Sequence, residues 1–223
     1  KQFLKMLTAD CINRFGDSID QIAYGWIMFE VTGSEALMAL IIGLNYLPSV
    51  LITPFAGAIV DRIKKKPIMI VADLIRFVIV AVIILSYKSG CLTPPLMIIM
   101  TLLTSTVEAF RVPASTSVLS HVLDTEFFTI GRAASFSSIR LSTLAGSAVA
   151  GIAIASIGAD GALWIDAATF LISALLISWI RVTNDETTKD KMSLNVVLED
   201  FREGFRFARK NEVLITIILV GIS

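Results

Sequence analysis

The chain has 223 residues, of which 55% are hydrophobic and only 17% are charged, and its mean hydropathy is +0.79. A soluble domain normally carries about 25% charged residues, and a disordered chain is poor in apolar ones, so both classes are excluded. The formal net charge is zero, with 19 basic against 19 acidic residues, so composition predicts no nucleic-acid partner. We therefore expect a protein embedded in a lipid bilayer.

Six stretches are long and apolar enough to cross a membrane, which takes about 20 residues as a helix. They cover residues 8–31, 36–60, 68–87, 92–118, 130–157 and 162–180, and a seventh apolar stretch begins at 213. Since the seventh is still apolar at residue 223, we expect the sequence to be part of a longer protein. The predicted organisation is a six-span bundle over 1–181, a loop over 182–211 and the start of span seven over 212–223.

Basic residues predict the orientation of these spans. Fourteen of the 19 fall in the N-terminal arm, the loop after span two, the loop before span five and the segment after span six, whereas only Lys88 lies in the opposite loops. Basic loops stay on the cytoplasmic side, so we expect the N-terminus and the last loop there. In that loop, apolar residues recur at helical spacing over 194–208, which predicts an amphipathic helix at the membrane surface.

Span one is unusually polar along a single face. Steps of three and four align its polar residues, which are Asp10, Asn13, Arg14, Asp17, Asp20, Gln21 and Tyr24. An ionisable group in hydrocarbon costs about 2.5–3.5 kcal/mol on insertion scales, so this face should point away from lipid. We expect it to line a wet cavity inside the bundle.

Span four repeats the pattern with Thr101, Thr104, Ser105, Glu108 and Arg111. Two matched polar faces predict a polar passage between spans one and four. Asp17 and Glu108 have two interpretations at this point: a carboxylate fixed in a salt bridge with Arg14 or Arg111, or a carboxylate that binds and releases a proton. Burial raises the pKa of a carboxyl group and a neighbouring arginine lowers it. Because these two effects oppose each other, both interpretations stay open.

Other polar residues lie in spans three and six. Asp73 and Arg76 are three residues apart, so they can pair along one helix, and we expect a structural role for that pair. For Asp166 we expect a helix-packing hydrogen bond.

Span five is rich in small residues. Gly146 and Ala150 lie on one ridge, and Gly151 and Ala155 lie on the neighbouring one. Small residues let helix backbones approach closely in lipid. This pattern predicts tight packing, and it is also compatible with a face that opens and closes against a missing half of the protein.

The loop between spans two and three carries Gly57, Asp61, Arg62, Lys65 and Lys66. It resembles the signature loop of the major facilitator superfamily, although Lys64 stands where that pattern usually has a second glycine. The resemblance implies a gate in which Gly57 lets helices approach, Asp61 holds the start of a neighbouring helix and the basic residues pair with acidic groups.

Further stretches resemble the drug:proton antiporter branch of this superfamily, which includes macrolide exporters and the enterobactin exporter. They are the segments at 32–34, 47–48, 73–76, 111–114 and 165–170, and the glycine motif from Gly146 to Gly151. The resemblance implies a twelve-span transporter made of two six-helix halves, of which this chain holds the N-terminal half.

The expected function is proton-coupled export of an amphiphilic small molecule across a bacterial inner membrane. The expected proton and substrate contacts are Asp17 and Glu108, with Arg14, Asp20, Gln21 and Arg111 beside them. We also expect aromatic and apolar residues such as Tyr24, Trp26 and Met28 in a cavity walled by spans one, two, four and five. The residues do not distinguish H⁺ from Na⁺ coupling.

Two alternatives remain at this point. One is a lipid or lysophospholipid flippase on the same fold. The other is a membrane-embedded enzyme, which is disfavoured because the single histidine, His121, stands near Asp124 and Glu126 without metal-ligand spacing. The sequence has no phosphate-binding loop of the Gly-x-x-x-x-Gly-Lys type, and we expect no cofactor or metal.

Overall fold

The computed structural model describes residues 2–123 and 127–180, without the side chains at 54 and 121. The predicted loop at 182–211, its amphipathic helix and the start of span seven at 212–223 lie outside the described residues, as do Asp124 and Glu126. Those expectations stay predictions.

Five helices make up the described part of the chain: α1 (Gln2–Thr32), α2 (Glu35–Val60), α3 (Lys65–Lys88), α4 (Pro94–Val122) and α5 (Phe128–Ser178). Helices α2 to α5 each contain a stretch long and apolar enough to cross a membrane. α1 has the length but is less apolar, because the ionisable residues of its polar face lie in its middle.

Helix α5 contains two spans. At 1.5 Å per residue its 51 residues would reach about 77 Å, more than twice the hydrocarbon core. Gly158 breaks the helix with φ 81° and ψ 167°, a conformation open to glycine and strained for other residues. We call the segment before it α5a (128–157) and the segment after it α5b (159–178).

Both segments of α5 pack against α1, at the same level along its axis. Gly146 of α5a packs against Phe15, and Thr169 of α5b packs against the adjacent Gly16. Residues on either side of the break thus reach the same level of α1, so the chain reverses direction at Gly158. The described residues therefore form six antiparallel spans, which confirms the predicted fold class.

Contacts at the two ends of the bundle fix the direction of each span. At one end, which we call the Lys66 end, the Lys66 ammonium donates to the carbonyls of Ser178 (2.7 Å) and Ile180 (2.8 Å), and Lys5 donates to Trp179 (3.2 Å). The starts of α1 and α3 therefore meet the end of α5b there.

At the other end, the Lys88 end, Lys88 forms an ion pair with Asp160 (2.9 Å), and the Tyr87 hydroxyl donates to Glu30. The ends of α1 and α3 lie here beside the break in α5. The Lys66 end is the one predicted to face the cytoplasm, and that assignment to a compartment remains a prediction.

Buried apolar residues form one cluster towards each end. Ile19, Tyr24, Met28 and Phe170 belong to the cluster nearer the Lys88 end, and Met6, Val60, Met69 and Val118 to the other. Large apolar side chains are also exposed around the bundle, including Val50, Leu85, Leu144 and Ile152. In a membrane protein such residues face acyl chains, so the hydrophobic exterior fits a bilayer.

Candidate functional site

A cavity of about 470 Å³ lies in the middle of the bundle. Its walls come from α1, α2, α4 and α5a, which are the four spans expected to form them, and Arg76 joins from α3. The polar lining comprises Arg14, Asp17, Ser18, Asp20, Gln21, Asn45, Tyr46, Ser49, Thr53, Arg76, Glu108, Arg140 and Thr143. The polar face of α1 therefore borders a cavity at Asp17 and Gln21.

The apolar lining differs from the one expected. Tyr24 and Met28 are buried in the core, packed in the same cluster as Phe170, and Trp26 lies near the Lys88 end, where its indole N–H donates to Glu30 (2.8 Å). Tyr24 and Met28 do not line the cavity because residues of α3 and α5b enclose them, and Trp26 lies on an exposed face of α1. Val112, Phe136 and Ile139 supply the apolar surface instead.

Two arginines join the carboxylates that border the cavity. The Arg14 guanidinium contacts Asp17 (3.2 Å) on its own helix and Glu108 (2.5 Å) on α4. The Arg76 guanidinium contacts Asp17 (2.6 Å) and lies 3.7 Å from Asp20. We call these five residues the cavity network. It contains salt bridges of the kind considered for Asp17 and Glu108, since both contact Arg14, and it adds the contact of Asp17 with Arg76, which the sequence analysis did not expect.

Arg111 belongs to a separate buried cluster nearer the Lys66 end. Its Nε donates to Asp73 (2.6 Å), its Nη1 to Asp10 (3.3 Å) and its Nη2 to Ser173 (3.1 Å). Ser173 also donates to Asp73 (2.7 Å), and Ser115 donates to Asp10 (2.7 Å). We call these five residues the closed network. Arg111 is not among the residues that line the cavity, and its expected contact with substrate stays a prediction.

The expected pair of Asp73 and Arg76 does not form. Asp73 accepts from Arg111, Ser173 and the Asn13 amide (3.2 Å), whereas Arg76 contacts Asp17 and Asp20. Both side chains are almost fully buried and need several polar partners, which residues on facing helices supply better than a neighbour one turn away. The two residues link helices rather than stabilising α3 internally.

Asp166 lacks the hydrogen bond expected for it. The side chain is fully buried in α5b, and neither carboxylate oxygen has a hydrogen-bond partner among the described residues. The hydroxyl of nearby Thr169 donates to the backbone carbonyl of Asp166 (2.7 Å) instead. Phe170 lies one turn after Asp166 on α5b, and the Arg76 guanidinium of α3 lies over its ring, 4.2 Å from the centroid.

Two glycines allow α1 and α5 to approach closely. A Cβ atom on Gly146 would lie 2.4 Å from the Phe15 carbonyl oxygen, and one on Gly16 would lie 2.0 Å from the Thr169 hydroxyl and 2.5 Å from an Asp166 oxygen. The sequence analysis did not identify Gly16 as a contact point between helices. Its position beside the polar face of α1 was the signal that could have revealed it. Gly151, by contrast, has open space where a Cβ would be, so only the Gly146 ridge packs inside this bundle.

The signature loop lies at the Lys66 end. A Cβ on Gly57 would meet no described atom within 4 Å, so the described residues show no close helix approach at Gly57, and its role in gating stays a prediction. The Asp61 N–H bonds to the Gly57 carbonyl (3.0 Å) at the end of α2, and the Asp61 carbonyl accepts from Lys65 (3.1 Å). Lys66 connects this loop to α5b. The gating roles of Asp61 and Arg62 stay predictions.

Six antiparallel spans around a central polar cavity define a multi-pass membrane protein of the transporter type. A family profile described as "Transmembrane secretion effector" matches residues 1–222. The chain belongs to this family of the major facilitator superfamily.

The chain is also similar to characterised and uncharacterised members of the superfamily. It is 24% identical to the uncharacterized MFS-type transporter YkuC of Bacillus subtilis, over 98% of this chain and 52% of the relative. It is 24% identical to the multidrug efflux pump Tap of Mycolicibacterium fortuitum (93% and 52%) and 26% identical to macrolide efflux protein A of Streptococcus pyogenes (99% and 54%). The chain thus spans about half the length of these curated relatives.

Proposed function

We propose that the protein is a secondary active transporter that exports amphiphilic small molecules across the cell membrane in exchange for protons. The observation that carries this proposal is the 470 Å³ cavity, in which polar faces of α1 and α4 meet through the contact of Arg14 with Glu108. Family membership supports transport, and the efflux pumps among the relatives support export.

The lining of the cavity supports an amphiphilic substrate. Phe136, Ile139 and Val112 offer apolar contact, while Gln21 and Asn45 offer amide donors and acceptors beside the carboxylates. A few polar groups on an otherwise apolar wall are typical of small-molecule sites. The relatives named for multidrug and macrolide efflux agree with a substrate that has both a polar and an apolar part.

The cavity network supplies a mechanism for coupling. Arg14 holds α1 to α4 through Glu108, and Arg76 holds α3 to α1 through Asp17. A cationic substrate that reaches one of these carboxylates competes with its arginine, which weakens the link between two helices. Such a change can shift the balance between two arrangements of the bundle, which is what alternating access requires.

At the Lys66 end, the basic side chains supply a second set of links that must rearrange during the cycle. Lys66 binds the carbonyls of Ser178 and Ile180 and thereby holds the start of α3 to the end of span six. In the proposed orientation this contact faces the cytoplasm. The predicted partner of this bundle is the C-terminal half of the same protein.

Reconstitution of the full-length protein into proteoliposomes tests the proposed function. We expect an imposed pH gradient to drive movement of a fluorescent amphiphilic dye or a macrolide, and a protonophore to abolish it. The Glu108→Gln variant should lose most of this activity, while Asp160→Asn, whose residue pairs with Lys88 away from the cavity, should retain it. Gradient-independent movement of labelled phospholipid without dye transport would identify a lipid flippase instead.

A further inference from the structure

The carboxyl groups of Asp20 and Asp166 lie behind the cavity, deeper in the bundle than the salt bridges of Arg14. Asp20 lines the cavity although it is only 2% exposed, and Asp166 is fully buried. An Asp166 oxygen packs against Gly16 of α1, and Asp20 lies one helical turn further along the same face of α1. One oxygen of Asp20 and both oxygens of Asp166 have no hydrogen-bond partner among the described residues.

One arginine, two carboxylates and a tyrosine face this pair. Asp17 and Tyr24 face it from α1, Arg76 from α3 and Glu108 from α4. Arg76 is the nearby cation: its Nη2 lies 2.6 Å from Asp17 and 3.7 Å from an Asp20 oxygen, which is beyond hydrogen-bond distance, and its Nε and Nη1 have no hydrogen-bond partner among the described residues. From α5a, Arg140 lines the cavity but stacks over Phe136, 5.3 Å from the ring centroid.

The neighbouring charges are already paired with each other. Arg14 joins Asp17 and Glu108, so the two arginines of the cavity network have their short contacts with those two carboxylates. Burial disfavours the charged form of a carboxyl group that has no partner. Asp20, whose contact with Arg76 is longer than a hydrogen bond, and Asp166 are therefore the carboxyl groups of this region whose ionised form is stabilised least.

We propose that Asp20 and Asp166 are the proton-binding pair of the transporter, while Asp17 and Glu108 remain in ion pairs with the arginines. This inference rests on the proposed function. Asp20 is the member in contact with the cavity, so protons reach the pair from cavity water. When the Arg76 guanidinium moves from Asp17 towards the pair, the carboxylates become ionised and the proton returns to water.

The close contact of α1 and α5b makes this pair sensitive to conformation. Gly16 lets an Asp166 oxygen lie against the α1 backbone, so a small sliding of α1 along α5b changes what surrounds the carboxyl group. Proton binding at Asp166 is thereby linked to the relative position of two helices. This is the kind of link that coupled transport needs.

Asparagine variants of the full-length protein test the assignment. In proteoliposomes we expect Asp20→Asn and Asp166→Asn each to lower gradient-driven transport about tenfold or more, while substrate exchange without a gradient persists. Asp160→Asn is the matched control on α5. In detergent, the number of protons released on substrate binding should fall in both variants, and Asp166→Glu should restore part of the release.

Infrared spectroscopy of the wild-type protein gives a readout that does not depend on how well a variant folds. We expect a protonated-carboxyl stretch that shifts in D₂O and changes on substrate binding. Absence of that band would overturn the proposal, as would asparagine variants that release protons and transport like the wild type. The proposed function survives either result, whereas a wild-type protein with no gradient dependence would overturn both.

Discussion

The closed network and the cavity network share α1, α3 and α4 and lie about one turn apart, yet their charges are balanced very differently. Every nitrogen of Arg111 that can donate finds a partner, and all four oxygens of Asp10 and Asp73 accept hydrogen bonds. In the cavity network Arg76 donates through a single nitrogen, and within the described part of the chain one oxygen of Asp20, like both oxygens of Asp166 behind it, accepts no hydrogen bond. A buried polar network with all partners present stabilises one arrangement, whereas an incomplete one can change.

The largest expected effect of a substitution is the loss of folding stability when the arginine of the closed network is replaced. Arg111→Gln leaves Asp10 and Asp73 buried without their cation, and loss of one partner of a buried pair costs about 3–5 kcal/mol. We expect a large drop in the thermal unfolding temperature of the purified protein in detergent. Arg140→Gln, which changes an exposed arginine stacked on Phe136, should leave that temperature nearly unchanged. Equal effects of the two substitutions would contradict the closed network.

The contrast between these networks could be predicted only in part from the sequence. Apolar length predicted six spans, including the break in α5 near Gly158, because the thickness of the bilayer sets the length of each span. Spacing also placed Asp17, Gln21 and Glu108 on faces that border the cavity.

The choice of partners was not predictable from spacing. Arg14 and Glu108 are 94 residues apart, and Asp73 and Ser173 are 100 apart. Such contacts depend on the rotation and height of each helix, which tertiary packing decides. The same is true of Tyr24, which continues the polar face of α1 in sequence but is enclosed at a level where α3 and α5b cover it.

The next effect concerns the packing that brings α5 against α1. Gly146→Ala places a methyl group 2.4 Å from the Phe15 carbonyl oxygen, so we expect destabilisation of about 1–3 kcal/mol. Gly151→Ala, on the same helix but with open space at its Cβ, is the matched control and should not destabilise. Unfolding in detergent measures both. If the two variants have the same stability, α5a does not pack on α1 as described.

A smaller effect tests the edge of the closed network. Ser115→Ala removes the hydrogen bond to Asp10 (2.7 Å) and should cost about 1 kcal/mol. Ser120→Ala removes only a bond to a backbone carbonyl on its own helix and should cost less. A double variant with Arg111→Gln should be non-additive, because both substitutions act on Asp10. Strict additivity would mean that the two side chains do not share this carboxylate.

The smallest expected change in stability belongs to the cavity network. Glu108→Gln removes an ion pair that is partly solvated, so we expect a loss of at most about 1 kcal/mol, together with a large loss of transport. This outcome is the reverse of that for Arg111→Gln, which acts mainly on folding. A Glu108→Gln protein that transports normally but unfolds easily would contradict the difference between the two networks.

The central claim is that the polar face of α1 is wet and faces the path of the substrate. Labelling of single cysteines by a membrane-impermeant thiol reagent tests it most directly, in a background without Cys11 and Cys91. We predict rapid labelling of Gln21→Cys, slowed by substrate, and little labelling of Leu144→Cys, which is exposed on the apolar exterior of α5a. The claim would be contradicted if Leu144→Cys were labelled rapidly while Gln21→Cys, without any substrate present, were not labelled.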